Sequence, residues 1–353
     1  MTDPSATAQP DMSAAYQALA TLYNALMTGT VLSLVTRRGA DTAREFVLRH
    51  FRRQHHEKFL PGLKKLGLDN QPAAVACALY HYHSNALGGV KTEYLRESDR
   101  KAWVRYPPPR WIWRGTAACG VPHPVNEAML HGWHGHNGVS LGNPRLGFVC
   151  TGMITTGAPG LEGYYCEHDH DLAPEERVRF VDDERMPRVD PAAQPRLDTA
   201  AWPEDRLRRT YRSYAMEYVR TMLPTLMDLL GPRDAEAEVG RTARLIGMQF
   251  YEEIAVALGV DPRGGSAGFA HYLATLLAAQ GEEVTNAIDG SNGVVRQNGW
   301  RLMRGVAFAN DSDIATALRA WNELWVGAAL AHDRFITVAM TGNPRDTITW
   351  TIS

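Results

Sequence analysis

The feature of this sequence that most constrains its fold is a set of landmarks that recurs, in the same order, about 190 residues further along the chain. The set comprises a pair of tyrosines, a Leu-Gly-x-Asp turn, a tryptophan and a Thr-Gly-x-Pro segment. The matched positions are Tyr16 and Tyr23 with Tyr211 and Tyr218, 66–69 with 258–261, Trp133 with Trp321, and 156–159 with 341–344. Because matches in one order are hard to obtain by chance, we predict a tandem duplication of one module.

Hydrophobic periodicity gives the same order of elements in both halves. Apolar residues at helical spacing come first, followed by a strand pair, a further helix and a second strand pair. The predicted helices span residues 11–36, 41–60, 71–87, 124–136, 206–230, 234–258, 266–280 and 311–330. The predicted strands span residues 90–95, 102–106, 146–154, 164–172, 283–304 (as a hairpin), 334–341 and 346–352. This order predicts an α+β fold.

The length of the chain agrees with two modules. It has 353 residues, of which 44% are hydrophobic, and ~150 residues per domain predicts about two domains. We expect two similar modules, each with about four helices and an antiparallel sheet. The predicted N-terminal module spans residues 1–172, and the degenerate repeat spans residues 206–353. Residues 173–205 are rich in proline and charge, which is typical of a connector.

Charge and hydropathy exclude several classes of protein. The 37 Lys and Arg residues are balanced by 39 Asp and Glu residues, so nucleic acid is not an expected partner. No run approaches the ~18 uninterrupted apolar residues of a membrane span. The first residues lack the basic and apolar regions of a secretory signal. We therefore predict a cytoplasmic protein with reduced cysteines. The composition is also compatible with a homo-oligomer.

Reactive side chains are concentrated in the first half of the chain. All 4 cysteines lie there, and of the 13 histidines only His271 and His332 follow residue 171. The second half has Thr, Ile and Trp where the first has Cys, His and Glu. We therefore predict that the N-terminal module carries the chemistry and that the repeat serves as scaffold.

The densest histidine cluster consists of His131, His134 and His136, with glycines between them. On a helix, His131 and His134 lie at i and i+3 and share a face. Imidazoles at that spacing chelate a metal ion or act as an acid–base pair. If a metal is bound, these three histidines are its candidate ligands, and the ion is a divalent one such as zinc or manganese. The alternative interpretation is a polar surface turn.

A second cluster runs from Cys166 through Glu167 and His168 to Asp171. On a strand, Cys166 and His168 share one face and the carboxylates share the other. If the first face points inward, the pair forms a Cys–His dyad or a soft metal site. If the second face points inward, Glu167 and Asp169 are acid–base candidates. The alternative is an exposed edge strand whose charges prevent aggregation.

Cys119 is a third candidate, because it lies in a segment of small residues just before a predicted helix. A thiolate near a helix N-terminus has a lowered pKa and is a good nucleophile. His123 is close enough in sequence to serve as its base. The alternative is a loop cysteine that behaves as a small apolar residue.

One stretch carries a family resemblance. The segment 85–95, Asn-Ala-Leu-Gly-Gly-Val-Lys-Thr-Glu-Tyr-Leu, is followed by a strand at 102–106 and by the late pair 147–150 and 163–166. These motifs resemble the L-2-amino-thiazoline-4-carboxylate hydrolase-like family. The resemblance covers about residues 40–172 and, in degenerate form, 234–353. It implies the hydrolytic opening of a small heterocycle at a C–N bond.

The leading functional hypothesis is therefore a hydrolase that opens a small cyclic nitrogen-containing compound at a C–N bond. The nucleophile would be a thiol (Cys166 or Cys119) or a metal-bound water, and His131, His134 or His168 would handle the proton. One alternative is a lyase or hydratase that uses Cys/His acid–base pairs. The other is a sensor that binds a small molecule without catalysis.

Overall fold

A computed structural model describes residues 12–108, 117–198, 202–310 and 312–353. Within these ranges the helices are α1 (Ser13–Arg38), α2 (Ala40–Lys65), α3 (Ala73–Leu87), α4 (Ala117–Gly120), α5 (His123–Gly132), α6 (Asn137–Ser140), α7 (Glu204–Leu230), α8 (Pro232–Leu258), α9 (Gly265–Gln280) and α10 (Asp313–His332). The strands are β1 (Glu93–Arg96), β2 (Lys101–Tyr106), β3 (Leu146–Gly152), β4 (Leu161–Glu167), β5 (Val178–Phe180), β6 (Val284–Asp289), β7 (Asn292–Asn298), β8 (Val338–Gly342) and β9 (Thr347–Ile352). The predicted α+β class is confirmed.

The two sheets repeat one strand order. The first has the order β1-β2-β4-β3-β5 and the second has the order β6-β7-β9-β8. The first four strands of one sheet therefore correspond to the four strands of the other. Their pairings are antiparallel, and only β5 joins its neighbour β3 in parallel. The shared order agrees with two similar modules, while their origin by duplication stays a prediction.

The first helix of each half packs against the other half. Helix α1 contacts α7, α8 and α9, whereas α7 contacts α2 as well as α1. Tyr23 of α1 donates a hydrogen bond to Gln280 and accepts one of 3.1 Å from the indole of Trp321. Its counterpart Tyr218 of α7 lies parallel to His50 of α2, with ring centroids 5.8 Å apart. One hydrophobic core therefore extends through both halves, and the predicted domain boundaries stay a prediction.

Helix α1 is apolar on several sides. Among the described residues it is the one helix long and apolar enough to cross a membrane by length and composition, but 61% of its most apolar window is buried inside the protein. Leu19, Leu22 and Leu26 are almost completely buried. A helix that is apolar on most sides lies in a protein core or in a membrane, and the burial of α1 agrees with a core helix.

Residues 173–198 of the predicted connector lie against the first sheet. Strand β5 extends that sheet, and Val178 and Met186 are buried. The backbone N–H of Met186 donates to the carboxylate of Glu162 on β4 at 2.8 Å. The connector therefore covers one face of the first sheet, although its composition could not supply a core of its own.

Candidate functional site

A cavity lies between α2, α3 and α5 of the first half and α7 of the second. It has a volume of about 210 Å³. Its aromatic walls are formed by Phe51, Tyr80, Tyr106, Trp133, Tyr214 and Tyr218. Its polar lining includes Gln54, Lys58, His81, Asn85, His134 and Glu217. Aromatic walls with a few convergent polar groups are typical of small-molecule sites.

Two stacked imidazoles form one wall of this cavity. The rings of His81 on α3 and His134, in the 3-10 turn 134–136, are 4.2 Å apart between centroids and inclined by 12°. Tyr165 of β4 lies nearly parallel to both, at 5.8 Å from His81 and 5.9 Å from His134. Burial raises the pKa of Tyr165 well above its usual value, so the phenol stays neutral. Its oxygen accepts a hydrogen bond of 2.9 Å from Asn137.

Helix α7 closes the cavity from the second half. The hydroxyl of Tyr214 donates to Oδ1 of Asn85 at 2.8 Å, and Nδ2 of Asn85 donates to the carbonyl of His81 at 2.8 Å. The carboxylate of Glu217 pairs with Lys58 of α2 at 3.0 Å. Because both members of this ion pair are partly exposed, they lie on the solvent side of the cavity.

The Gly-Gly step of the 85–95 motif explains how α7 comes so close. A Cβ atom on Gly88 would lie 2.6 Å from the Tyr214 ring, and one on Gly89 would lie 2.6 Å from the Tyr211 ring. Gly89 also has a φ of +77°, which side chains other than glycine rarely adopt. Both glycines are therefore required by the packing of two tyrosines against α3.

The predicted cluster of His131, His134 and His136 points in three directions. The expectation that His131 and His134 share a helix face is wrong, because α5 ends at Gly132 and a 3-10 turn follows. His131 packs near Phe180 with ring centroids 5.9 Å apart, and burial lowers its pKa. Of the three, only His134 lines the cavity.

His136 instead meets two histidines of α2. The nitrogens that His55, His56 and His136 could offer to a metal all lie within 4.8 Å of one another. Of the three histidines predicted as metal ligands, this group therefore contains His136 alone. His55 and Trp133 are in edge contact at 5.7 Å between centroids, which places the group behind the Trp133 wall of the cavity.

The second predicted cluster lies away from the cavity. Strand β4 ends at Glu167, so residues 168–171 are not part of a strand and the predicted alternation stops there. The register turns Tyr165 toward the helices and Cys166 toward the opposite face, where it packs against Trp103 and its neighbours. Burial raises the pKa of the Cys166 thiol.

The carboxylate and histidine of that cluster have structural partners. Glu167 accepts hydrogen bonds from Asn143 at 2.9 Å and from Arg145 at 3.2 Å. His168 lies beside His170, with centroids 5.8 Å apart, and burial lowers its pKa. Neither Glu167 nor His168 lines the cavity.

The other cysteines are also outside the cavity. Cys119 is exposed on the short helix α4, and its predicted base His123 contacts Thr155 at 3.0 Å and Glu127 at 3.1 Å. Cys77 and Cys150 are buried, and burial raises the pKa of Cys150 to about 12. The described lining of the cavity contains no thiol.

Several lining residues were not predicted from the sequence. His81 was not among the predicted candidates; it lies inside α3 with its ring on the cavity. Its position on a buried face was the available signal. Tyr214 and Glu217 of α7 are more than one hundred residues away in sequence, and no local pattern could place them beside α3.

Comparison with known protein families, with curated proteins and with solved structures finds no match to this chain. The resemblance stated from the motif at 85–95 therefore stays a prediction.

Proposed function

We propose that the cavity binds a small cyclic nitrogen-containing molecule and that the protein hydrolyses it at a C–N bond, with His81 and His134 handling the protons. The observation that carries this proposal is the pair of parallel imidazoles, 4.2 Å apart, in the wall of an aromatic cavity. Imidazole is the side chain suited to exchange protons near neutral pH, so a cavity with two of them is suited to acid–base chemistry.

The size and walls of the cavity define the substrate class. A volume of about 210 Å³ corresponds to roughly seven water volumes of ~30 Å³, or a ring compound of roughly ten non-hydrogen atoms. Aromatic side chains such as Tyr80 and Trp133 favour a flat ring by stacking. Gln54 and Asn85 offer amide groups that match ring nitrogens and their N–H groups.

The proposed chemistry needs one base and one acid. Two positive charges this close repel each other, so at most one of the two imidazoles is protonated to the cation at a time. The neutral imidazole takes a proton from water, which attacks the carbon of the C–N bond. The protonated imidazole gives its proton to the departing nitrogen, so that one water is consumed and the ring opens.

Water activated by histidine replaces the thiol in this proposal, because no cysteine lines the described cavity. A lyase or hydratase would use the same two imidazoles on a different substrate. Its product would distinguish it from the proposed hydrolase. We also propose a cytoplasmic protein, as the balanced charge and the burial of α1 suggest.

The first test is a panel of small cyclic amides, amidines and thiazolines. Thermal shift identifies the compounds that stabilise the protein, and mass spectrometry then follows each compound during incubation. We expect at least one binder to gain the mass of one water. Binding without any change in mass would support the sensor hypothesis, and loss of a fragment without uptake of water would support a lyase.

A further inference from the structure

We propose that His55, His56 and His136 form a binding site for a divalent transition metal ion of the zinc class. The inference is independent of the proposed function, because the three rings lie behind Trp133 and outside the cavity lining. It also differs from the metal site predicted from sequence, since two of its three ligands come from α2.

The local structure brings the three rings together. Neighbouring residues on a helix project about 100° apart, so His55 points into the protein against Phe59 and Trp133 while His56 lies at the surface. The 3-10 turn places His136 between them, with ring centroids 5.2 Å from His55 and 4.9 Å from His56.

The turn that carries His136 is fixed by its glycine. A Cβ atom on Gly135 would lie 2.7 Å from the Val178 side chain of β5. Residues two apart in a 3-10 helix project about 240° apart around its axis, so His134 faces the sheet while His136 faces α2. One short turn therefore supplies a ring to the cavity on one side and a ring to the histidine group on the other.

The distances suit a zinc ion after a small movement. The candidate ligand atoms lie within 4.8 Å of one another. Around a tetrahedral zinc with Zn–N bonds of ~2.0–2.1 Å they would be ~3.3 Å apart. His56 is exposed, so its side chain has room to rotate toward the other two rings.

Three buried nitrogens of the group need a partner. Nδ1 of His136 and both ring nitrogens of His55 are buried and have no hydrogen-bond partner among the described residues. A buried polar atom without a partner costs free energy, which a metal bond would remove.

The charges around the group define the rest of the coordination. Two arginines lie close to the group. The Arg52 guanidinium donates to the carbonyls of His131 at 2.8 Å and Gly132 at 3.0 Å, and a Cβ atom on Gly135 would lie 3.8 Å from the Cβ atom of Arg177. Three neutral imidazoles favour zinc, cobalt, nickel or copper over magnesium and calcium. The remaining position is expected to hold an anion, such as hydroxide or a carboxylate, because two guanidinium groups lie near.

Zinc titration of the untagged, chelator-treated full chain tests this site. Isothermal calorimetry at pH 7.5 should show one zinc ion per chain with a Kd in the micromolar range or tighter. His56→Asn and His136→Asn should each weaken binding at least ~10-fold. The control is His131→Asn, which lies close to the group but outside it and should bind zinc as the wild type does.

Cobalt provides a second readout that does not depend on affinity. Cobalt bound by three imidazoles and an anion should give visible absorption bands in the wild type and in His131→Asn, and the bands should be lost in His56→Asn. Because His56 is exposed, its variant should keep the circular dichroism and melting temperature of the metal-free protein. The proposal is overturned if the wild type binds neither ion, or if His56→Asn and His136→Asn bind both as tightly as the control.

Discussion

The hydroxyl of Tyr214 on α7 donates a hydrogen bond of 2.8 Å to Oδ1 of Asn85 on α3. This bond joins the second half of the chain to the wall of the cavity. The two candidates for proton transfer there, His81 and His134, belong to the first half. The second half therefore completes the cavity, as its predicted role of scaffold requires. It does so through a helix that crosses to the other half.

Removal of this hydroxyl should weaken the packing of α7 on α3. In Tyr214→Phe the ring stays, but Asn85 loses a hydrogen bond in a partly buried place, which costs about 1 kcal/mol. We expect the unfolding free energy to fall by this amount, measured by urea denaturation. Tyr211→Phe is the matched control on the same helix, and an equal effect of both variants would contradict this role of the hydrogen bond.

An added methyl group at Gly88 should separate α7 from α3. The new Cβ atom of Gly88→Ala would lie 2.6 Å from the Tyr214 ring, so the ring must move. Overpacking of this kind costs about 1–3 kcal/mol of unfolding free energy, measured by urea denaturation. The control Ala86→Ser lies on the exposed side of α3 and should change stability by less than ~0.5 kcal/mol. Unchanged stability in Gly88→Ala would show that α7 does not pack this closely.

The buried imidazole of His50 should make the protein sensitive to acid. Burial lowers the pKa of His50 to about 3, and the nearby charge of Arg53 acts in the same direction. The unfolded chain takes up this proton below pH ~6.5 while the folded protein does not. The unfolding free energy is therefore highest above that pH and decreases as the pH falls toward 3.

His50→Phe tests this linkage. Because His50 stays neutral in the folded protein, it lowers the unfolding free energy by about 2 kcal/mol at pH 5, from 1.36 kcal/mol per pH unit. The variant should lose less stability than the wild type between pH 7.5 and pH 5, as followed by urea denaturation at both values. Equal losses in the two proteins would contradict the assignment.

The cysteines should be dispensable for binding and turnover. Cys166 lies on the far face of β4 and Cys119 lies exposed on α4. We expect Cys119→Ser and Cys166→Ser to keep ligand affinity and rate within about twofold of the wild type. A rate loss of tenfold or more in either variant would restore the thiol as nucleophile.

Periodicity predicted the elements well where one face is buried. The alternation of residues 347–352 predicts the last strand, and β9 buries Ile348, Trp350 and Ile352 completely. Periodicity failed at residues 124–136, because glycines end the helix early and send three neighbouring histidines to three different surroundings.

The cavity was only partly predictable. His134 was a candidate from the density of histidines, and it does line the cavity. Its stacking partner His81 comes from another helix, and Glu217 comes from the other half of the chain. Contacts between residues so distant in sequence depend on how the helices cross, which local spacing does not determine.

The most direct test of the central claim is the turnover of His134→Gln on a hydrolysed member of the heterocycle panel. His168→Gln is the matched control, because His168 is a half-buried histidine outside the cavity. We expect His134→Gln to bind the compound but to lose kcat at least ~100-fold, as for the loss of a general base or acid. We expect His168→Gln to keep the wild-type rate. A His134→Gln protein that turns over within about threefold of the wild type would show that His134 does not handle the proton.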